Sequence, residues 1–350
     1  MPPIKVVLVG IGNCAAALVQ GLAYYKNSEN LAGVAHPVLA GYSPRDVEVV
    51  GAIDVDARKV GRDLADAIFA PPNVVSKVVD VPVTGVVVER GDVLDGFIEE
   101  VSSEVEVAPG QPCDVVATFQ RADVVVALLP SGAHRAVEFY AEKALQARVA
   151  FVNATPTPIA TDETWAAKFK EKGVPVVGDD LQDQVGSTIL QKLLLREMND
   201  RGVRIKESYS LDVGGGLDSL NSLFRARADK RAIKSKSVQA ALPYEAPIVS
   251  GTTDYVPHLR NRRDTHVWIV GQYFMGEEVV IDMKVQTADG ANGGSVLLDV
   301  IRATKIALQE GAAGAIGAIS AYGFKNPPGG TVFPKQAREL LAGFLLGSTL

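Results

Sequence analysis

A glycine-rich turn near the start of the chain constrains the fold more than any other sequence feature. The turn reads Gly10-Ile11-Gly12-Asn13-Cys14-Ala15. It follows a short β-branched run at 4–9, which predicts a buried strand, and it opens a segment at 15–25 with helical spacing. The first glycine permits a tight turn, the second lets a ligand approach the backbone, and the small alanine lets helix and strand pack closely. The pattern therefore predicts a strand–turn–helix unit that opens an α/β fold.

Strand-like and helix-like segments alternate from this turn to residue 200. Strands are predicted at 47–53, 123–129, 149–152 and 174–177, and helices at 56–69, 134–146 and 162–172. Alternation of this kind predicts a doubly wound parallel sheet of the Rossmann type. We expect residues 1–200 to form this domain, completed by a segment at 295–350 in which helices are predicted at 295–310 and 334–346.

The pattern changes between residues 201 and 294. Segments at 204–211, 265–272 and 278–285 alternate polar and apolar residues. Such alternation is typical of an antiparallel sheet with one covered face. The fold class is therefore α/β, a Rossmann-type doubly wound sheet with an inserted α+β sheet domain at 201–294.

The glycine turn also predicts a bound dinucleotide, because a helix N-terminus offers free N–H groups to a pyrophosphate. Asp54 follows the second predicted strand, where a carboxylate accepts hydrogen bonds from a ribose hydroxyl and repels a 2′-phosphate, which favours NAD over NADP. Asp54 lies 42 residues after Gly12, about twice the usual separation. An insertion at 26–46 explains the excess. The alternative for the glycine turn is an ordinary turn that binds no ligand. The alternative for Asp54 is a solvated aspartate at a strand end.

Composition argues against several classes of function. The formal net charge of −6 argues against a nucleic-acid or membrane surface, because both favour basic patches. Two cysteines in 350 residues predict no disulfide framework and indicate a reducing cytoplasm. The four histidines show no metal-ligand spacing, so no metal site is expected. No apolar run approaches the roughly 18 residues of a membrane-spanning helix.

Several blocks of the sequence resemble one family, the inositol-3-phosphate synthases (myo-inositol-1-phosphate synthases), in their short bacterial and archaeal form. The blocks are VGIGNCAAALVQGLAYY at 9–25, AIDVDARKVGRDLADAIF at 52–69, VAFVNATPTPIATD at 149–162, VPVVGDD at 174–180, LDVGGGLDSLNSL at 211–223, DGANGGSVLLDVIRATKIA at 289–307 and SAYGFKNPP at 320–328. The resemblance implies NAD as cofactor, a sugar phosphate as substrate, and a cytoplasmic homotetramer built through the inserted domain, which also carries catalytic residues.

The implied reaction is a redox-neutral cyclisation of D-glucose 6-phosphate to 1D-myo-inositol 3-phosphate. In this family NAD oxidises C5 of the sugar, the product is enolised and closed by an intramolecular aldol reaction, and the same NADH reduces the ring. The chemistry needs cations that stabilise an enolate and an alkoxide as they form. It also needs a closed site that retains the intermediates.

The resemblance assigns site residues motif by motif. Lys230 and Lys234 share one face of a predicted helix, provided that one deletion is placed upstream; an ungapped alignment puts Arg231 and Ser235 there instead. A solvated basic run is the alternative for this segment. The residues matched to catalytic groups are Lys230, Lys234, Lys325, Asp180, Asp218 and Asp289, and those matched to the substrate phosphate are Arg263, Lys234 and Lys325. The residues matched to the cofactor are Gly10, Gly12, Asn13, Cys14, Ala15, Asp54, Pro130, Asn153, Thr155 and Asp179, with Asn153, Thr155 and Asp179 at the nicotinamide.

The chain departs from the family pattern around the substrate. After GDDL the family usually has Lys-Ser or Lys-Thr, where this chain has Gln182-Asp183. Asp212 and Gly216 stand where asparagines are usual, and Arg263 replaces a lysine. These changes affect the expected substrate more than the expected cofactor.

We expect Arg263, Lys234 and Lys325 to converge on the phosphate, and Asp183 to turn away and bond a backbone N–H. If Asp183 faces the cavity instead, the substrate carries a hydroxyl or an amine in place of the phosphate. Two further alternatives are a paralogous NAD-dependent oxidoreductase or cyclase for another polyol or sugar phosphate, and a non-catalytic NAD-sensing or scaffold protein.

Overall fold

The helices and strands come from a computed structural model that describes residues 1–347. The strands are β1 (Ile4–Val9), β2 (Val47–Asp54), β3 (Val88–Arg90), β4 (Val124–Ala127), β5 (Ala150–Asn153), β6 (Pro175–Val177), β7 (Arg204–Gly214), β8 (Ile248–Tyr255), β9 (Arg262–Gln272), β10 (Glu278–Ala288) and β11 (Gly314–Ala315). The helices are α1 (Asn13–Lys26), α2 (Leu64–Ala67), α3 (Val115–Phe119), α4 (His134–Ala147), α5 (Glu163–Lys172), α6 (Ser187–Asp200), α7 (Leu217–Arg225), α8 (Arg227–Gln239), α9 (Asp289–Gln309), α10 (Gly317–Gly323) and α11 (Pro334–Leu345).

The first sheet has seven strands in the order β3-β2-β1-β4-β5-β6-β11, and all neighbours are parallel. This confirms the predicted doubly wound sheet. The strand order reverses between β1 and β4, and ligands of open α/β sheets bind beside the carboxyl ends of the strands at such a point. The glycine turn follows β1 and therefore lies at this crevice.

The second sheet has four strands in the order β10-β9-β7-β8. The pairs β10–β9 and β9–β7 are antiparallel, whereas β8 is parallel to β7. The antiparallel pairing predicted for the segments at 204–211, 265–272 and 278–285 is therefore confirmed, but the parallel strand β8 was not predicted. The physical reason is the connection: the chain runs from β7 to β8 through α7 and α8, and a helical crossover returns the next strand in the same direction.

One face of the second sheet packs against α6 and α8. The shared core contains Leu195, Val238, Val267 and Ile269. Helix α6 belongs to this core although it falls inside the predicted first domain. The domain boundaries at 200/201 and 294/295 stay predictions, and the last three residues of the segment 295–350 lie outside the described residues.

The segment after β2 differs from the predicted helix at 56–69. Only Leu64–Ala67 is α-helical, and the residues before it form turns. The cause is a set of local hydrogen bonds: the Asp54 carboxylate accepts from the N–H groups of Val55 and Asp56 at 2.7 and 2.9 Å. Aspartates that bond nearby backbone groups compete with helix formation.

Helix α9 begins at Asp289, six residues before the predicted helix at 295, and packs against α1. Glycines let the two helices approach closely: a Cβ on Gly290 would lie 2.7 Å from the Asn13 carbonyl oxygen, and one on Gly294 would lie 3.1 Å from the Leu18 nitrogen. The glycine-rich start of α9 is therefore a packing surface for the first helix. Among residues 1–347, no helix is long and apolar enough to span a bilayer.

A buried ion pair fixes the middle of α9. Arg302 is fully buried; it pairs with Asp299 on the same helix and donates to the carbonyl of Tyr42 at 3.0 Å. Asp299 also accepts from the Tyr322 hydroxyl at 2.6 Å and lies 2.7 Å from His36 Nδ1. The pair thus links α9 to α10 and to the segment between α1 and β2.

We predict that Arg302→Met lowers the free energy of unfolding by about 3–5 kcal/mol, because it leaves a buried carboxylate without its cation. Denaturant titration with tryptophan fluorescence measures the change. Arg201→Met is the matched control, since Arg201 is exposed and pairs with Glu197 at 3.7 Å; it should cost less than about 1 kcal/mol. Equal effects of the two substitutions would contradict a structural role for the buried pair.

Candidate active site

A cavity of about 230 Å³ lies at the crevice, between the glycine turn and the second sheet. The first sheet contributes residues that follow β1, β4, β5 and β6, while the second sheet, its helices and the start of α9 form the other wall. A smaller cavity of about 110 Å³ continues beside β2, and Gly12, Lys59 and Pro130 line both. Of the predicted residues, the larger cavity is lined by Gly12, Asn13, Cys14, Ala15, Pro130, Thr155, Asp180, Asp218, Lys230, Lys234, Arg263, Asp289 and Lys325. The smaller one is lined by Gly10, Gly12, Asp54 and Pro130.

The two glycines of the turn have different structural roles. Gly10 has φ +91°, and a Cβ there would lie 2.6 Å from the Leu128 carbonyl oxygen, so only glycine fits. A Cβ on Gly12 would meet no atom within 4 Å. It would instead project into space at the start of α1, which no side chain caps. The turn therefore presents an unobstructed helix N-terminus, which suits an anion.

Asp54 and a buried lysine hold the turn in place. The Asp54 carboxylate accepts from the Ile11 N–H at 2.7 Å. Lys59 is buried and donates to the Ile11 carbonyl at 2.9 Å and to Asn73 at 3.1 Å. Sequence reasoning missed Lys59: it lies in the block at 52–69, but no spacing rule singles out a lysine there.

The segment between β3 and α3 covers the smaller cavity. Val93, Gly96 and Val101 line it. Arg225 of α7 donates to the carbonyl of Asp95 and, at 3.4 Å, to that of Gly96. The Asp95 carboxylate in turn accepts from the first backbone N–H groups of α4 at 2.7 and 2.8 Å. This covering segment is therefore tied both to the first sheet's helices and to α7.

Three residues predicted at the nicotinamide divide into two groups. Thr155 lines the larger cavity. Asn153 and Asp179 are fully buried, and Asn153 donates to Asp179 at 2.8 Å and to the Thr157 carbonyl at 2.6 Å. Asp179 also accepts from the backbone N–H groups of 159–161 at 3.0 to 3.1 Å. The hydrogen bonds of Asn153 and Asp179 are thus made with each other and with the loop that follows β5. Both residues therefore lie behind the cavity wall and hold this loop in position.

Four of the cations that line the larger cavity are each hydrogen-bonded to a carboxylate. Lys230 donates to Asp218 at 2.6 Å, and Lys325 donates to Asp180 at 2.7 Å. Arg263 donates to Asp289 at 2.7 Å. Lys234 donates to Asp212, a residue that stands at one of the departures from the family pattern. The pairing explains how four cations remain together at sites largely withdrawn from water.

The helix register agrees with the gapped alignment. Lys230 and Lys234 line the cavity. Arg231 instead packs against β8 at Gly251, and Ser235 accepts from the Ser250 N–H of β8 at 2.9 Å. The one-residue deletion upstream of the helix therefore matches the observed orientation of α8.

The charged groups differ in how readily they ionise. Burial opposes ionisation of Asp212, yet Lys234 and Arg263 lower its pKa to about 2. Burial lowers the pKa of Lys234 despite its carboxylate partner. The pKa of Lys325 is raised instead: burial lowers it, but Asp180 and Asp183 raise it by more. Lys234 is thus better suited to release a proton than Lys325.

Two buried polar atoms in the cavity wall have no partner among the described residues. They are Asp180 Oδ2 and Arg263 Nε. Because a buried polar atom without a hydrogen bond costs free energy, both are candidate contacts for a ligand. Burial raises the pKa of the Cys14 thiol, and Asp289 adds to the effect, so this cysteine stays protonated and is not a nucleophile. Among residues 1–347, no three His, Cys, Asp or Glu side chains are arranged to hold a metal ion.

Asp183 lines the cavity and does not turn away from it. The expectation that its carboxylate bonds a neighbouring backbone N–H is therefore wrong. The nearby N–H groups have other partners: Gln184 donates to the Asn292 carbonyl at 3.4 Å, and Val185 donates to the Asn292 side chain at 3.0 Å. Gly186 is required here, since a Cβ would lie 2.6 Å from Asp183 Oδ2.

A buried lysine lies behind Gln182. Lys192 of α6 is 2 % exposed, and its ammonium lies 3.3 Å from Gln182 Oε1. Burial, and then the nearby Lys325, lower its pKa to about 7. Sequence reasoning missed this residue, although it shares the buried face of an amphipathic helix with Leu195, which is the signal that could have identified it.

Comparison with known proteins gives consistent results. A sequence profile of the myo-inositol-1-phosphate synthase family matches residues 186–290. The inositol-3-phosphate synthase of Mycolicibacterium smegmatis is 42% identical over 338 residues, covering 93% of both chains. The inositol-3-phosphate synthase of Corynebacterium glutamicum is 39% identical over 359 residues, covering 98% of both chains. The crystal structure of a myo-inositol-1-phosphate synthase-related protein from Thermotoga maritima superposes with a TM-score of 0.82 at 23% identity over 98% of both chains, which supports the fold.

We predict that Lys192→Met stabilises the protein at pH 6 by about 1–4 kcal/mol, because it removes a buried cation without a carboxylate partner. The folded pKa lies below the unfolded one, so the unfolded chain binds more protons between about pH 7 and pH 10, and wild-type stability rises with pH in that window. The advantage of the variant should therefore shrink by pH 9. Urea titrations at both pH values measure it, with the exposed Lys206→Met as control. An advantage independent of pH would show that Lys192 keeps its proton in the folded protein across this window, so that burial does not lower its pKa.

Proposed function

The chain belongs to the inositol-3-phosphate synthase family of isomerase-type enzymes, and on that basis we propose that it cyclises D-glucose 6-phosphate to 1D-myo-inositol 3-phosphate with NAD. The observation that carries the proposal is a single cavity that joins the glycine turn to four buried cations. A nicotinamide cofactor bound at the turn would supply reversible hydride transfer. The lysine cluster would then act on the same sugar.

The residues of the two cavities fit NAD. Asp54 lines the smaller cavity and would accept the hydroxyls of the adenosine ribose. The pyrophosphate would lie over Gly12 and the first turn of α1, where an added Cβ meets open space. Thr155 and Pro130 would contact the nicotinamide half, and Asn153 and Asp179 would position it through the loop that they hold.

The cations supply the remaining chemistry of the proposal. Fixed ammonium groups stabilise an oxyanion that develops in a water-poor site. We assign oxyanion stabilisation to Lys230 and Lys325, and proton transfer to Lys234, whose pKa burial lowers. Asp218 and Asp180 orient Lys230 and Lys325, and Asp289 orients Arg263. The free Oδ2 of Asp180 can accept a sugar hydroxyl.

The deciding experiment is incubation of the purified protein with NAD and glucose 6-phosphate, followed by product identification. A synthase forms an inositol phosphate without external oxidant and accumulates no NADH at 340 nm. NADH that accumulates in proportion to substrate would instead identify a dehydrogenase, the second candidate. Asp183 favours a paralogous enzyme whose substrate carries a hydroxyl or an amine in place of the phosphate, because a carboxylate in the cavity opposes a phosphate. Binding of NAD with no turnover of any sugar phosphate would favour a non-catalytic NAD-binding role.

We also propose a homotetramer built through the second sheet. Its face opposite α6 and α8 carries partly exposed apolar side chains, with Tyr209 and Trp268 stacked at 6.3 Å and Val249 and Val280 each more than two-fifths exposed. A sheet face of this composition is typical of a surface that a second copy covers. A cytoplasmic location is part of the same proposal.

We predict that Gly12→Val abolishes NAD binding in a folded protein. A valine side chain has room in the absence of ligand, but it would fill the space that the proposal gives to the pyrophosphate. Calorimetric titration with NAD measures the loss. Gly343→Val in α11, where a Cβ also meets no atom within 4 Å, tests for a general effect of the substitution. Unchanged NAD affinity in Gly12→Val would refute the cofactor placement.

We predict that Lys230→Met lowers turnover by about 10²–10³-fold, because it removes an ammonium that stabilises charge in the transition state. Melting temperature and NAD binding should change little, since Asp218 keeps its 2.8 Å hydrogen bond from Ser131. Lys236→Met on the exposed face of α8 should retain full turnover. Wild-type turnover in Lys230→Met would show that the reacting atoms lie elsewhere.

A further inference from the structure

One carboxylate in the larger cavity has no ion-pair partner within the described part of the chain. Four cations each pair with a carboxylate, as described above: Lys230 with Asp218, Lys234 with Asp212, Arg263 with Asp289 and Lys325 with Asp180. Asp183 is a fifth carboxylate, and it forms no ion pair with any of these four cations. It makes no hydrogen bond with any of residues 1–347.

Asp183 nevertheless lines the same cavity as the charged groups of this cluster. Charged or titratable groups face it from α1, α8, α9, β9 and the segment after α10. These groups are Cys14, Lys234, Asp289, Arg263 and Lys325. Three of them, Arg263, Lys234 and Lys325, are the cations that the family resemblance matches to the substrate phosphate. A phosphate bound there and the Asp183 carboxylate would therefore compete for the same charges.

A phosphate ester is mostly a dianion above its second pKa of about 6. A dianion that entered this cavity would lie beside an ionised Asp183 carboxylate that no ion pair neutralises. Like charges at contact distance in a buried site repel strongly. One proton placed between the two groups removes this repulsion and turns it into a hydrogen bond.

We infer that Asp183 is a specificity-determining residue that binds the substrate's phosphate through a shared proton. The carboxylic acid O–H donates to a phosphate oxygen, where the family's hydroxyl side chain is absent. The proton comes from solvent and enters as the substrate binds. The inference rests on the proposed function, because it takes a sugar phosphate as the substrate.

The surroundings of Asp183 favour this protonation. Burial raises the pKa of its carboxyl, and Asp289 raises it further, against the opposite effect of Arg263, Lys325 and Lys234. When the phosphate occupies those three cations, their effect on Asp183 is largely cancelled. Its pKa therefore rises again in the complex, which draws the proton from solvent.

The experiment is calorimetric titration of glucose 6-phosphate into the NADH-loaded protein. Reduced cofactor cannot accept a hydride, so binding is observed without turnover. Titrations near pH 8 in two buffers with different ionisation heats give the number of protons taken up. Wild type should take up close to one proton, and its affinity should fall about tenfold for each pH unit above pH 7.

Asp183→Asn replaces the acid by an amide that donates without a proton from solvent. This variant should take up almost no protons when glucose 6-phosphate binds. Its affinity for glucose 6-phosphate should stay nearly constant with pH and exceed that of wild type near pH 8. Asp200→Asn is the matched control, because Asp200 is exposed at the far end of α6 and pairs with Arg196. It should behave as wild type.

Three results would overturn the inference in distinguishable ways. Equal proton uptake by wild type and Asp183→Asn would place the proton on another group. Binding by Asp183→Asn but not by wild type at any pH from about 6 to 9 would show that Asp183 stays ionised and excludes phosphate. If neither protein binds glucose 6-phosphate while both bind NADH, the proposed function itself fails, and the inference fails with it.

Discussion

The close contact between the glycine turn and the start of α9 is the constraint on which the site depends. Gly290 and Gly293 approach Asn13 and Cys14 so closely that a Cβ at either glycine would lie within 3 Å of them. This contact brings Asp289, and through it Arg263, beside the N-terminus of α1. Without it the first sheet would still present a dinucleotide turn, but the cations of the second sheet would not share its cavity. The glycines are therefore as important for assembling the site as the charged residues that line it.

The ion pairs in the cavity wall are the second feature on which the site depends. A cation that leaves water needs a nearby carboxylate, and each of the four cations at the substrate end has one. The pairing also tunes reactivity, because burial and neighbours shift the ionisation of Lys234 and Lys325 in opposite directions. One set of contacts thus accounts both for the stability of the cluster and for the different chemistry that we assign to its members.

The sequence predicted the first sheet well, because short apolar strands and helical spacing are local signals. It also placed Lys230 and Lys234 on one helix face, and family motifs assigned most of the charged residues that line the larger cavity. Three features depend on contacts between distant segments and could not be predicted. The parallel pairing of β8 follows from a crossover, and Lys192 is buried on the face of α6 that packs toward the second sheet. Asp183 faces the cavity, where the nearby Val185 N–H is already bonded to Asn292. Local hydrogen bonds of Asp54 likewise prevented the helix predicted after β2.

The segment that covers the smaller cavity affects how long a bound dinucleotide would stay in place. Arg225 ties this segment to α7, and Asp95 ties it to α4. A dinucleotide bound there, as we propose, would be covered by a segment that contacts helices of both sheets, so its release would require these contacts to break. Ordinary dehydrogenases exchange their cofactor in every cycle, whereas a catalyst that returns its hydride to the same substrate does not. For such a catalyst, slow dissociation of the cofactor does not lower the turnover rate, and one nucleotide can stay bound through many catalytic cycles.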